Sequence, residues 1–112
     1  MSSLTQQDGP IYSALANDPD LYDLVKMFVD EMPTRLEKLV AEFQSKDWDG
    51  LKYTTHQLKG AAGSYGFAEV TPVAGKLEDS LKQSSPEEAI QQMLNELIAT
   101  CQRMSIVESD VS

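Results

Sequence analysis

The sequence predicts an all-α protein, an up-down-up-down four-helix bundle with a short additional N-terminal helix. Three observations lead there. Apolar residues recur at three- and four-residue spacing through most of the chain, and no segment alternates with the period of a strand. The breaks between periodic stretches are short and carry Pro, Gly, Ser and Asp, the residues that start and stop helices. With 112 residues, 41% of them hydrophobic, the chain can build one domain around a single core, and short links between amphipathic helices favour antiparallel neighbours.

Residues 1–9 are polar and read as a flexible segment that ends at Gly9-Pro10. The bundle is expected over 10–107, with 108–112 as a tail. Ile11 to Ala16 can form the short extra helix. Asp18-Pro19-Asp20 is a start signal: an N-cap, a proline at the first helical position and an acid in the first turn. From there Leu21, Leu24, Val25, Phe28, Met32, Leu36, Leu39, Val40 and Phe43 keep helical spacing. Pro33 removes one hydrogen bond from this run, which predicts one long bent helix over roughly 19–45, the alternative being two helices. Asp47-Trp48-Asp49-Gly50 links to, and can cap, a helix over about 49–64, which Gly63 and Gly66 bring to an end. A further helix is expected over about 68–82. Ser84-Ser85-Pro86-Glu87-Glu88 looks like a capping box with proline at the first helical position of a last helix, about 86–106.

The net charge is −9 and the pI about 4.4. A duplex-binding protein needs a basic stripe, and polybasic membrane attachment needs clustered lysine and arginine; this chain offers neither, so neither nucleic acid nor membrane is expected as a partner. No apolar run approaches the ~20 residues of a membrane-spanning helix, and Met1 to Gln7 lack the charged and apolar regions of a signal peptide. Cys101 is the sole cysteine and His56 the sole histidine. An internal disulfide is therefore impossible, a His/Cys metal site is not expected, and a reducing cytoplasm fits best.

Chemistry concentrates around His56. On a helical wheel Leu51, Thr54, Thr55, Leu58, Ala61, Ala62 and Tyr65 share one arc, while Lys52, His56, Lys59, Gly60 and Gly63 lie opposite. The histidine thus points away from the core. Glycine inside a helix costs about 1 kcal/mol relative to alanine; on an exposed face it has no packing reason, but it lets another molecule approach the ring closely. A C-terminal cap can account for Gly63, whereas Gly60 comes too early for one. From Leu51 to Ala68 there are two lysines and no acid, a local sign that favours an anionic ligand or an acidic partner pocket. His56 lies ten residues before Gly66 and Glu78 twelve after it, so an antiparallel hairpin brings the two to similar heights. A carboxylate accepting the Nδ1 proton would fix the tautomer and leave Nε2 nucleophilic; the alternative is that Glu78 is a solvated helix acid.

At these residues the sequence resembles the histidine-containing phosphotransfer (HPt) domain family. The pattern His-x-x-Lys-Gly-x-x-Gly-x-x-Gly is present as His56, Lys59, Gly60, Gly63 and Gly66. The similarity spans about 20–105 and is specific from 52 to about 82. The resemblance implies that His56 is phosphorylated through Nε2, that Lys59 steadies the phosphoryl oxygens, and that Gly60 and Gly63 leave room for an incoming receiver domain. Many family members carry glutamine where Glu78 stands; the glutamate is more similar to the phosphotransfer domains of chemotaxis kinases. The implied function is that of a phosphocarrier in a two-component phosphorelay, exchanging phosphate between His56 and aspartyl phosphates of receiver domains in response regulators and hybrid sensor kinases. The acidic, metal-binding pocket would belong to the partner.

No Gly-rich phosphate loop is present, so the chain is not expected to bind ATP, to hold a cofactor or to be an enzyme without a partner receiver domain or kinase. Lys52, Tyr53, Phe67, Ile11, Tyr12 and Leu15, with Gly60 and Gly63, are the candidate docking residues. Two other readings belong to different classes: a receiver-docking module without phosphotransfer, and a hydrolase using His56 and Glu78 as an acid/base dyad, which would need an enclosed pocket. A monomer is expected. The N-terminus suggests a free-standing protein, the alternative being a domain of a larger sensor kinase.

Overall fold

Asp47 starts the helix that carries His56: its carboxylate accepts the Gly50 N–H at 3.0 Å, satisfying one of the backbone donors that a helix N-terminus leaves without a partner. The computed structural model describes residues 9–106, and in it this helix is the third of five. The order is β1 (Ile11–Tyr12), α1 (Tyr22–Asp30), α2 (Met32–Gln44), α3 (Trp48–Ser64), α4 (Val70–Lys82), α5 (Glu87–Cys101) and β2 (Met104–Ser105). Helix α3 packs along α4, α4 along α5, and α2 closes the ring against α3 and α5. The result is the expected all-α four-helix bundle, with α1 prepended to α2. Leu39, Leu51, Leu77 and Leu97, one from each bundle helix, have no exposed surface, each contributing about 1.5–3 kcal/mol by leaving water.

The long bent helix is instead two helices. Pro33 has no N–H, so the ladder loosens two residues before it, at Glu31. Glu31 keeps a helical backbone (φ −84°, ψ −7°), and its N–H still reaches the Met27 carbonyl at 3.0 Å. The start also falls later than expected. The Asp18 carboxylate accepts from Asp20 N–H at 2.9 Å and its carbonyl from Leu21 and Tyr22, so Pro19 to Leu21 form a turn ahead of α1. Pro86 occupies the N-cap of α5 with ψ 151°, outside the helix, and neither serine before it makes a cap bond; the expected capping box does not form.

The short N-terminal helix is also absent. Ile11 and Tyr12 form a two-residue parallel pairing with Met104 and Ser105. Ile11 N–H donates to the Arg103 carbonyl at 2.7 Å, and Arg103 Nε donates to the Gly9 carbonyl at 2.8 Å. The last helix accordingly ends at Cys101 rather than near 106. This pairing sinks the Ile11 side chain into the core with 2% of its surface exposed. Phe67 is buried completely, beside Phe28 (ring centroids 6.0 Å apart), which in turn stacks on Tyr65 at 4.8 Å. Ile11 and Phe67 are therefore core residues and not docking residues, and Leu15 packs partly buried against the same core. Tyr12 remains exposed. The expected flexible segment 1–9 and tail 108–112 lie outside the described residues, save for Gly9.

The segment after β1 grips the α3–α4 turn. Ala14 N–H donates to the Gly66 carbonyl at 3.0 Å, and Ser13 Oγ donates to the Tyr65 carbonyl. Gly66 sits at φ +85°, where side chains are strained, and a Cβ there would lie 2.6 Å from Ser13 Oγ and 2.9 Å from the Ala14 nitrogen. Gly66→Ala is expected to cost about 2 kcal/mol or more, read as a lowered thermal midpoint and a lowered urea midpoint.

Candidate functional site

The polar face of α3 lies over α4, and at their junction a carboxylate is buried. Glu78, on α4, has 3% of its surface exposed. Its Oε2 accepts from His56 Nδ1 at 2.7 Å, and its Oε1 pairs with Lys59 Nζ at 2.6 Å. Lys82, one turn further along α4, brings its Nζ to 3.7 Å from Oε2. The alternative of a solvated helix acid is thereby set aside. The Lys59 ammonium beside Glu78 holds the carboxyl well below its usual range, at about 2, against the opposing effect of burial and with help from His56 and Lys82. An ionised carboxylate only accepts hydrogen bonds, so Nδ1 is the donor of this pair, and of the two neutral tautomers it selects the one with its lone pair on Nε2. The ring itself remains open to solvent, with 64% of the side chain exposed.

Helix periodicity places these groups together. Thr55 and Leu58, on either side of His56, are buried at 0% and 1%, which turns His56 and Lys59 outward along the α4 side. Gly75 lies under the Lys59 stem, 3.8 Å from Cδ to where a Cβ would stand. Beside the ring is an open cavity of about 260 Å³ lined by Asp49, Lys52, Tyr53, His56, Glu78 and Lys82. A larger groove, about 440 Å³, runs between α2 and α5 and includes none of these residues. Its lining holds one acid, Glu37, and neither histidine nor lysine.

A Cβ at Gly60 would meet no atom within 4 Å, while one at Gly63 would stand 3.5 Å from Thr71 Oγ1. Nothing among the described residues thus requires glycine at 60. Among the described residues no cluster of three or more His, Cys, Asp or Glu could hold a metal ion. Burial pushes the Cys101 thiol up to about 12, which leaves it protonated and unreactive.

A buried carboxylate that orients an exposed histidine, with a lysine beside it and a bare helix face below, joins the two helices that a family comparison also covers. The family model of the Hpt domain matches residues 23–105. This chain belongs to the Hpt domain family. No curated protein and no solved structure gives a match. Membership makes the chain a phosphotransfer module of two-component signalling. Domains of the family are phosphocarriers rather than catalysts, and they interact with receiver domains. Among the described residues no helix is long and apolar enough to cross a membrane.

In this Hpt domain the structure brings together His56, Lys59, Glu78, Lys52, Tyr53 and Gly60, with Gly63 one turn beyond. It separates from them Ile11 and Phe67, which belong to the core, and Tyr12 and Leu15, which lie outside the cavity's lining. The cavity's lining also includes Lys82 and Asp49, which sequence reasoning did not place beside His56. The spacing of Glu78 and Lys82, four apart on one helix, is the signal that could have found the lysine.

The charge of Glu78 ties stability to pH. Its folded pKa lies below the ordinary 4.5, so its contribution is complete above that value and is lost as pH falls towards about 2. The shift corresponds to at most about 3 kcal/mol. Urea unfolding between pH 7 and pH 2.5 should show a steeper acid loss in the parent than in Glu78→Gln, which has no carboxylate to protonate; equal losses would contradict the pairing.

Proposed function

We propose that this Hpt domain carries a phosphoryl group on His56 Nε2, taking it from and returning it to aspartyl phosphates of receiver domains in response regulators and hybrid sensor kinases. The single observation that supports this best is the 2.7 Å contact between His56 Nδ1 and the buried carboxylate of Glu78. It makes Nε2 the free nucleophilic nitrogen and aims it at solvent, where a partner can reach it.

The transfer needs little covalent machinery. The Nε2 lone pair attacks phosphorus as the bond to the aspartyl oxygen breaks, and that bonding pair leaves with the aspartate. The ring gains positive charge as Nε2 bonds to phosphorus. Glu78, still accepting from Nδ1–H, stabilises that charge, and in the reverse direction its stabilisation is lost as the ring gives the group up. Lys59 has three ammonium donors; one holds Glu78, and the others are available to phosphoryl oxygens. The open face around His56 favours a carrier over a hydrolase, which would need to enclose its substrate and exclude water. Lys52, Tyr53, Gly60 and Gly63 form the receiver's landing face on α3. The expected setting is a monomer in the cytoplasm.

Incubation with a phosphorylated receiver domain should place acid-labile, base-stable phosphate on the parent chain and none on His56→Gln. Equal uptake by His56→Gln would sink the assignment. Docking has its own test at Gly60. Gly60→Ala should stabilise the fold by about 0.5–1 kcal/mol, the ordinary gain of alanine over glycine within a helix. Gly60→Glu should keep a folded bundle and take up phosphate from the receiver at least 10-fold more slowly, since bulk and charge then stand in the approach path, on the order of 1.4 kcal/mol. Unchanged uptake by Gly60→Glu would remove Gly60 from the landing face.

A further inference from the structure

Three cationic or proton-donating groups converge on Glu78, and they are held unequally. Lys59 Nζ sits at 2.6 Å from Oε1 and His56 Nδ1 at 2.7 Å from Oε2, both within hydrogen-bond distance. Lys82 Nζ stands at 3.7 Å from Oε2, an ion pair without a hydrogen bond, and its side chain is 57% exposed. The consequences of moving each lysine differ. Oε1 is shut off from solvent and, among the described residues, has no hydrogen-bonding neighbour apart from the Lys59 ammonium, so withdrawing Lys59 would leave a buried charged oxygen unpartnered, which is costly. Withdrawing Lys82 leaves both carboxylate oxygens with their close partners. Lys82 is thus the cation that is free to move.

It is also in the right place. As a helical side chain it leans back towards the N-terminus of α4, over Glu78 and the ring that shares Oε2 with it. Both lysines of the adjoining cavity, Lys52 from α3 and Lys82 from α4, line it together with His56, against Asp49 and Glu78 as its acids. A phosphoryl group on Nε2 brings a charge of about −1.5 to −2, more than Lys59 can balance while it remains paired with Glu78.

We propose that Lys82 is a second phosphoryl-binding residue, whose ammonium leaves Glu78 Oε2 for the phosphoryl oxygens when His56 is phosphorylated. Lys59 then acts as the fixed cation that keeps Glu78 ionised, and Lys82 as the one that follows the phosphate. This inference rests on the carrier reading above.

The test uses the full chain and a small donor, potassium phosphoramidate, so that docking plays no part. The Nε2 lone pair displaces the donor's protonated amine, which leaves as ammonia while the Nε2–P bond forms. The phosphorus NMR signal of phosphohistidine is then followed between about pH 6 and pH 9 through the last ionisation of the phosphoryl group. A neighbouring cation favours the dianion, so Lys82→Met should raise the proton affinity of the phosphoryl group roughly threefold, the size of one partly exposed ion pair. Lys82→Arg should restore the parent midpoint, and Lys26→Met, on α1 and paired with Asp30, should leave it unchanged. A Lys82→Met midpoint equal to the parent's overturns the role of Lys82 and leaves the carrier reading standing. Failure of the parent to take up phosphate on His56 overturns both.

Discussion

One carboxylate, buried at the junction of α3 and α4 and kept ionised, organises the functional face of this protein. Glu78 has almost no exposed surface, yet its pKa lies near 2 because Lys59, His56 and Lys82 surround it. A buried charge is tolerable only when its oxygens are bonded and its charge is balanced. That requirement fixes two things at once. It holds α3 and α4 in one register, since Glu78 must lie level with both His56 and Lys59. It also dictates the tautomer of the histidine, since an ionised acceptor leaves Nδ1 as the donor. The nucleophilic nitrogen is a by-product of a structural ion pair.

The rest of the bundle supports that junction. Leucines from α2 to α5 fill the centre, and α3 is capped at its start by Asp47 and stopped at its end by Gly66. The N-terminal segment threads over the Gly66 turn and then pairs with the segment after α5. The turn that brings α4 back along α3 is therefore held from outside as well as from within. His56 stands between those ends on a helix whose other side is fully packed. The ring's orientation is set by the backbone beneath and one carboxylate beside it, while its outer edge is exposed.

The arrangement divides labour between rigid and movable groups. Glu78 and Lys59 are bound at short distance and partly or wholly buried, whereas Lys82 is exposed and loosely paired. The carrier role proposed for His56 would draw on both kinds. The fixed pair keeps Nδ1 of His56 hydrogen-bonded to a carboxylate. The loose cation can move without leaving a buried oxygen bare.

Local signals in the sequence were enough for the helices of the bundle, for the outward direction of His56, and for the company of Lys59, Gly60 and Gly63, because each depends on the 3.6-residue repeat of a single helix. Glu78 was within reach as well, since a hairpin relates heights on two helices through one short turn. The two-residue pairing of Ile11 with Met104 was beyond reach, because it joins segments from opposite ends of the chain and two residues are too few to show a strand's alternation. The same pairing decided that Ile11 is core, and aromatic packing across α1 and the α3–α4 turn decided that Phe67 is core; an apolar residue near a turn reads identically whether it is covered or bare. Sequence alone thus determined which helix would hold His56 beside Lys59 and the glycines, and which way that face would turn. Only the tertiary structure decided how deeply Glu78 is buried and how tightly each lysine is held, because burial and distance depend on what the other helices bring alongside.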